Sequence, residues 1–217
     1  MNLDTIDYLG WTLPKNDEFI KRHLQTFPKN NNQDKIVSYA NNLNFKKDLV
    51  IDVGANIGTK ALQFVNTFKN VVCFEPVKIN FHCLTENCKN YTNIKLHNVG
   101  LSDINKKDII HLPPEFINHY GAFSIGKFSD RDDNVHTEEI VLHRLDDYEL
   151  LPDLIKIDTE GHESQVLLGA LETLKKARPV LILEHSVKNV KPIIDVLSPI
   201  GYRIIYSKQK DHVWVCD

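Results

Sequence analysis

Two short blocks hold most of the side chains in this 217-residue chain that could do chemistry. Asp158, Glu160, His162 and Glu163 lie within six residues, and Glu184-His185 follows the apolar run Val180–Leu183. Their types allow three readings. An imidazole titrates near neutral pH, so His162 or His185, oriented by Glu160 or Glu184, can take a proton from a hydroxyl. Asp158, Glu184 and a histidine can instead hold a divalent cation that lowers the hydroxyl's pKa. In the third reading the block is structural: Thr159 and Glu163 cap a helix and the acids pin its loop. That duty suits Glu163 best and Asp158 least.

A second constellation lies upstream. The run Leu49–Val53 contains Asp52 and leads into Gly54, Ala55, Asn56, Ile57 and Gly58. Strand, glycine loop and helix in this order make the first unit of a nucleotide-type α/β fold, whose helix start offers unpaired N–H donors. A dinucleotide fingerprint wants G-x-G-x-x-G so that backbone can approach a pyrophosphate. Asn56 stands where a middle glycine would, and Asp52 sits two residues before the loop. A carboxylate there repels a pyrophosphate and suits a cationic ligand. S-adenosylmethionine, with its ammonium and sulfonium, is such a ligand. Glu75, followed by Pro76, ends the next apolar run and is placed to accept from ribose hydroxyls.

These residues need a scaffold, and the pattern supplies one. Strands Leu49–Val53, Val71–Phe74, Ile94–His97, Leu154–Ile157 and Val180–Leu183 are short and apolar throughout, as in a parallel sheet covered on both faces. Helices are expected at Ile57–Phe68, Val77–Asn90, Glu163–Ala177 and about 189–200. The strand ends read Asp52, Glu75, Asn98, Asp158 and Glu184, which lines one crevice at the carboxyl end of the sheet. Tyr202–Tyr206 and His212–Cys216 read as a terminal antiparallel pair.

Two segments depart from the alternation. Residues 1–48 read as a helical appendage on the sheet edge or a lid, with helices at Asp17–Leu24 and Asp34–Ala40. Trp11 is either packed or stacked on a sugar ring. Residues 104–148 read as an irregular insertion, with strands at Lys106–Leu112 and Glu138–His143 and a turn before them at Gly100–Asp103. Within it His119, Tyr120, Ser124 and His136 are candidate acceptor contacts.

Composition narrows the partners. A net charge of −3 and pI near 6.4 lack the basic excess of a nucleic-acid binder. No apolar run approaches the roughly 20 residues of a membrane span, and the acidic start is not a signal peptide. Cys73, Cys83, Cys88 and Cys216 form no C-x-x-C pair, so they read as reduced thiols in a cytoplasmic protein rather than zinc ligands.

Val50–Gly58, Phe74-Glu75-Pro76, Asn98–Asp103, Leu154–Glu163 and Val180–His185 together resemble the FkbM-type methyltransferases, over residues 49–206 and in the same order. The stretch Lys156–Glu163 is the most specific piece. The resemblance implies the Rossmann-like fold of class I S-adenosylmethionine-dependent enzymes, an α/β sheet of seven strands, six parallel and one antiparallel near the C-terminus, with helices on both faces. It implies methyl transfer to a hydroxyl, often on a sugar, glycolipid or polyketide, and a sugar or glycan is the acceptor expected here. It places the donor on Asp52, Gly54 to Gly58, Glu75, Pro76, Leu101, Ser102 and Asp158. Lys60 is outside the family pattern and is given no role. A nicotinamide-dependent oxidoreductase and a catalytically silent Rossmann-like binding module are the rival readings. Asn56 argues against the first, and intact Asp52, Glu75, Asp158 and Glu184 argue against the second.

Overall fold

The computed structural model describes residues 4–26, 34–112, 120–122, 124–125, 136–185 and 190–216. Its first element is a hairpin that the sequence reading omits. Strands β1 (Thr5–Tyr8) and β2 (Trp11–Pro14) pair antiparallel, turned by Leu9 and Gly10 at φ 54° and 77°. Helix α1 (Glu18–Thr26) starts at Asp17, whose Oδ1 accepts the Ile20 N–H at 2.8 Å. Helix α2 (Lys35–Asn41) starts at Asp34, which accepts the Ile36 N–H at 2.9 Å. Both caps satisfy helix N–H groups that have no partner within the helix.

The main sheet then builds up: β3 (Leu49–Val53), α3 (Ala61–Phe64), β4 (Asn70–Phe74), α4 (Lys78–Cys88) and β5 (Ile94–His97). Next come β6 (Gly100–Leu101), β7 (Lys106–Leu112), β8 (Ser124–Ile125) and β9 (His136–His143). The chain closes with β10 (Leu154–Ile157), α5 (Glu163–Leu168), α6 (Leu171–Ala177), β11 (Val180–Glu184), α7 (Val190–Leu197), β12 (Tyr202–Lys208) and β13 (Asp211–Cys216).

The large sheet runs β12-β13-β11-β10-β3-β4-β5. Strand β13 is antiparallel to both neighbours and the other six run parallel, as expected. Side chains alternate across it. Ile51, Val53, Ile155, Ile157, Leu181 and Leu183 join the core on one face. Val50, Leu154, Val180 and Ile182 join the core on the other. Asp52 and Lys156 are direct partners in the β3–β10 register, so both point to that second face.

Several expectations are corrected. The strands expected at Lys106–Leu112 and Glu138–His143 are present and, with β6 and β8, form a second sheet, β6-β9-β7-β8, in which Gly100-Leu101 is the parallel edge rather than a turn; most of the irregular stretch between them lies outside the described residues. Ile110, Leu112, Ile140 and Leu142 bury its inner face against Val77. The helix expected at Ile57–Phe68 is the single turn α3, because the glycine loop continues to Lys60. The helix expected at Glu163–Ala177 breaks at Gly169, where a Cβ would lie 1.9 Å from the Ser102 carbonyl.

Helix α2 packs on the sheet face beside its β12 edge. Ile36, Val37 and Ala40 bury against the β11–β13 side of the sheet face, and Tyr39 stacks on Tyr206 of β12 at 4.0 Å. Trp11 is packed, not presented to a ligand: it is buried with Leu13, Ile20, Leu24, Ile57 and Cys83. Asn87 of α4 staples this layer, accepting from Thr12 N–H and donating to the carbonyls of Thr12 and Ile57, each at 2.8 Å. None of the four cysteines is in a disulfide. No helix among the described residues is long and apolar enough to cross a membrane.

Candidate active site

The Gly54–Gly58 loop is held open by its own backbone. Gly54, Asn56 and Gly58 have φ of 74°, 50° and 96°. Asn56 therefore adopts the left-handed conformation of the glycine it stands for, which asparagine tolerates better than most residues. The N–H groups of Gly54 and Ala55 both reach the Phe74 carbonyl, at 3.0 and 3.1 Å. Glu75 is buried; its Oε2 accepts from Asn56 N–H at 2.8 Å and its Oε1 from Val77 N–H at 2.9 Å. Burial pushes its carboxyl up to about 7 despite those two amides. Asn80 adds a side-chain hydrogen bond, so three of the four lone pairs on the two oxygens are engaged and one is left for a ligand hydroxyl. Asn98 braces this corner, donating to the carbonyls of Glu75 and Pro76 at 2.9 and 3.0 Å. The side chains of Ala55, Ile57 and Leu101 are buried in the core, so among these positions only backbone is available to a donor.

The β3 and β10 ends touch. A Cβ on Gly54 would stand 1.9 Å from the Asp158 carbonyl. Behind that contact lies Lys156, which the sequence reading passed over. Its Nζ is 3.4 Å from Asp52 Oδ1 and 3.2 Å from Asp158 Oδ2, and it donates to the Gly54 carbonyl at 3.3 Å. Burial alone would lower the Lys156 pKa, but Asp158 and then Asp52 carry it above the ordinary lysine range. This corrects the picture of Asp52 aimed into the crevice: its side chain is 0% exposed and faces Lys156, whereas Asp158 is 29% exposed. Burial raises the Asp52 pKa and outweighs the lowering by Lys156.

Acids gather beyond Asp158. Burial, then Asp158, then Asp211 raise Glu184 to about 7. Asp211, opposite Glu184 in the β11–β13 register, is itself raised by burial first. The two chemical blocks thus share one electrostatic neighbourhood, as their strand ends suggested. His185 is buried and stacks on His212 at 3.9 Å, with Trp214 at 6.2 Å.

The Asp158–Glu163 loop divides its labour. Glu163 Oε1 accepts from Thr159 N–H, Thr159 Oγ1 and Gly161 N–H at 3.2, 3.2 and 2.8 Å, so the structural reading holds for it. Those bonds stabilise a turn in which Glu160 and Gly161 have φ of 52° and 99°. Glu160 itself is exposed and adds to the field at Glu184. Ser102 is buried and does not reach into the crevice. Its Oγ donates to Asp103 Oδ1 at 2.9 Å and meets His162 Nε2 at 2.9 Å, so that nitrogen carries the proton of the shared bond. Among the described residues no three His, Cys, Asp or Glu side chains are grouped to hold a metal ion. His136 is exposed on β9, while His119 and the side chains of Tyr120 and Ser124 lie outside the described residues. Lys60 pairs with Asp34, and Asp34 N–H reaches Gln63 Oε1 at 3.0 Å, which ties residues before β3 to the helix after the loop.

The family model described as the methyltransferase FkbM domain matches residues 52–204. The chain belongs to the FkbM methyltransferase family. Hexuronic acid methyltransferase AglP of Haloferax volcanii is 32% identical over 160 residues, which are 70% of this chain and 62% of that protein. The chain thus spans less than two thirds of that relative's length. Among solved structures, methyltransferase FkbM from Methylobacillus flagellatus KT matches with a TM-score of 0.59 at 19% identity, over 80% of this chain and 45% of that one. Magnesium protoporphyrin IX methyltransferase from Synechocystis PCC 6803, solved with bound S-adenosylmethionine, matches with a TM-score of 0.53 at 14% identity, over 92% and 85%. These likenesses show the class I methyltransferase fold.

In this FkbM domain the residues missed from sequence have two kinds of signal. Lys156 was legible as a lysine inside an apolar strand, where an unpaired charge is rare. Asp211 and His212 carried no local signal, because only the β11–β13 register brings them to Glu184 and His185.

Proposed function

We propose that this chain transfers a methyl group from S-adenosylmethionine to a hydroxyl of a sugar or glycan. One observation carries the reading: the left-handed Gly54–Gly58 loop closes against Asp158 in a crevice whose open side chains are acidic. The residues fit a cationic donor. The Asp52, Lys156 and Asp158 side chains sum to one negative charge. Asn56 Oδ1 is a buried acceptor with no hydrogen-bond partner among the described residues. Family membership supports methyl transfer, and the name of the AglP relative supports a sugar acceptor. Nothing in the loop or the family favours the nicotinamide reading.

When bound, the donor supplies a methyl on a sulfonium, and the S–C electron pair returns to sulfur as the acceptor oxygen takes the methyl. The chain's residues do the rest. Glu75 would orient the donor, while the N–H groups of Gly54, Ala55, Asn56 and Gly58, already donating to Phe74, Glu75 and Ala55, hold the loop's shape. Asp158 faces its charge. We place proton removal on Glu184, because it is partly open, lies among Asp158 and Asp211, and its carboxyl sits at about 7, near working pH. His185 packs behind it. His162 is engaged with Ser102 and serves the loop.

The test is a panel of neutral, amino and uronic sugars, with phenols and aliphatic alcohols that carry no sugar beside them, incubated with labelled donor and read by mass. A labelled sugar supports the reading, and labelling of no sugar while another acceptor class is labelled overturns the substrate class. Glu184→Gln should lower kcat by roughly 10²-fold while S-adenosylhomocysteine still binds. Unchanged kcat would move the base elsewhere.

A further inference from the structure

Lysine inside the central strand of a buried sheet is costly, because desolvating an ammonium is repaid only by close partners. Lys156 has three: Asp52 Oδ1 at 3.4 Å, Asp158 Oδ2 at 3.2 Å and the Gly54 carbonyl at 3.3 Å. The register makes the first pairing unavoidable, since Lys156 and Asp52 are directly opposed on one face. The carbonyl bond ties the donor loop to β10. The three side chains grade in exposure from 0% at Asp52 and 7% at Lys156 to 29% at Asp158. With Asp52 ionised against the Lys156 ammonium 3.4 Å away, in spite of the burial that raises its pKa, two carboxylates and one ammonium leave one negative charge, and only Asp158 shows it to the crevice.

We propose that Lys156 is a positioning residue that sets the charge of the donor site. It neutralises Asp52, holds the Gly54 carbonyl and Asp158 together, and leaves a single uncompensated carboxylate facing the sulfonium. The proposal rests on the methyltransferase reading. Its consequence is discrimination: S-adenosylmethionine and S-adenosylhomocysteine differ by the methyl and its positive charge. A site with one net negative charge favours the substrate over the neutral-sulfur product. Removing one carboxylate brings the trio to zero and removes that preference. Removing the ammonium as well restores one negative charge.

The experiment is calorimetric titration of both molecules into the full chain and into Asp52→Asn, Lys156→Met and the double variant. Asp52→Asn should weaken S-adenosylmethionine relative to S-adenosylhomocysteine roughly tenfold, the order of a unit-charge interaction at an effective dielectric of about 20 or more. The double variant should return the affinity ratio to within about threefold of wild type, which a merely structural role for Lys156 would not do. Lys156→Arg, which keeps the charge, should keep the ratio. If Lys156→Met does not fold, Asp52→Asn, the double variant and Lys156→Arg decide. An unchanged ratio in Asp52→Asn, or no recovery in the double variant, overturns the proposal while leaving the methyltransferase reading intact. Failure of the wild type to bind either molecule overturns both, and shows in the wild type alone.

Discussion

Replacing Gly54 by alanine is the sharpest perturbation of the donor loop. An added Cβ would stand 1.9 Å from the Asp158 oxygen and 3.0 Å from its carbon, both backbone atoms. Neither can swing aside as a side-chain tip would, so the β3 and β10 ends must part by roughly 1 Å or more to reach van der Waals contact. At φ 74° the new side chain also meets left-handed strain, about 1–2 kcal/mol. With about 1–3 kcal/mol for overpacking, the variant should lose roughly 2–5 kcal/mol of stability. That is a large share of the ~5–15 kcal/mol of an ordinary domain. Urea unfolding reads this loss and calorimetry reads S-adenosylhomocysteine affinity, which should fall more than tenfold. Gly201→Ala is the control. Gly201 also has positive φ, 89°, but a Cβ there meets only Cys216 Sγ at 3.3 Å, at the β12 end remote from the loop. It should cost about 1–2 kcal/mol of strain and leave the affinity unchanged. Wild-type affinity in Gly54→Ala would refute the idea that the contact between the two strand ends shapes the donor site.

Three further outcomes follow from the same geometry. Glu75 holds its proton more tightly folded, at about 7, than at its ordinary 4.5, so its contribution is full below about pH 4.5 and is lost as pH rises to 7. The difference in unfolding free energy between wild type and Glu75→Gln should therefore shift by roughly 3 kcal/mol across that window, and a flat difference would contradict it. Glu163→Ala strips three donors of their acceptor and should cost about 2–3 kcal/mol, read as a lowered melting temperature, with Glu163→Gln milder because it keeps one oxygen. Asn87→Ala should cost about 2–4 kcal/mol and speed amide exchange in β1 and β2 ahead of the main sheet; equal protection would show that the hairpin does not depend on the staple.

Much of the scaffold was legible because its signals are local. Apolar runs ending in Asp52, Glu75, Asp158 and Glu184 gave the parallel strands, and Asp17 and Asp34 marked two helix starts. What escaped is non-local. The β7–β9 pairing joins Lys106 to Leu142 across a long excursion, so the two strands were legible and the second sheet they build was not. The break at Gly169 answers to the Ser102 carbonyl, and Ser102 to His162, contacts no periodicity reveals. Asp52 was singled out but given the wrong neighbour. Its apparent freedom to meet a cation came from reading β3 without the strand that pairs with it, and Lys156 on that strand takes the place assigned to the ligand.

The central claim is that the Gly54–Gly58 loop and Asp158 hold a cationic methyl donor. Thermal unfolding of the full chain with S-adenosylhomocysteine, S-adenosylmethionine or NADH tests it in one measurement. Stabilisation by the first two and none by NADH is the expected result. Stabilisation by NADH alone would contradict the account.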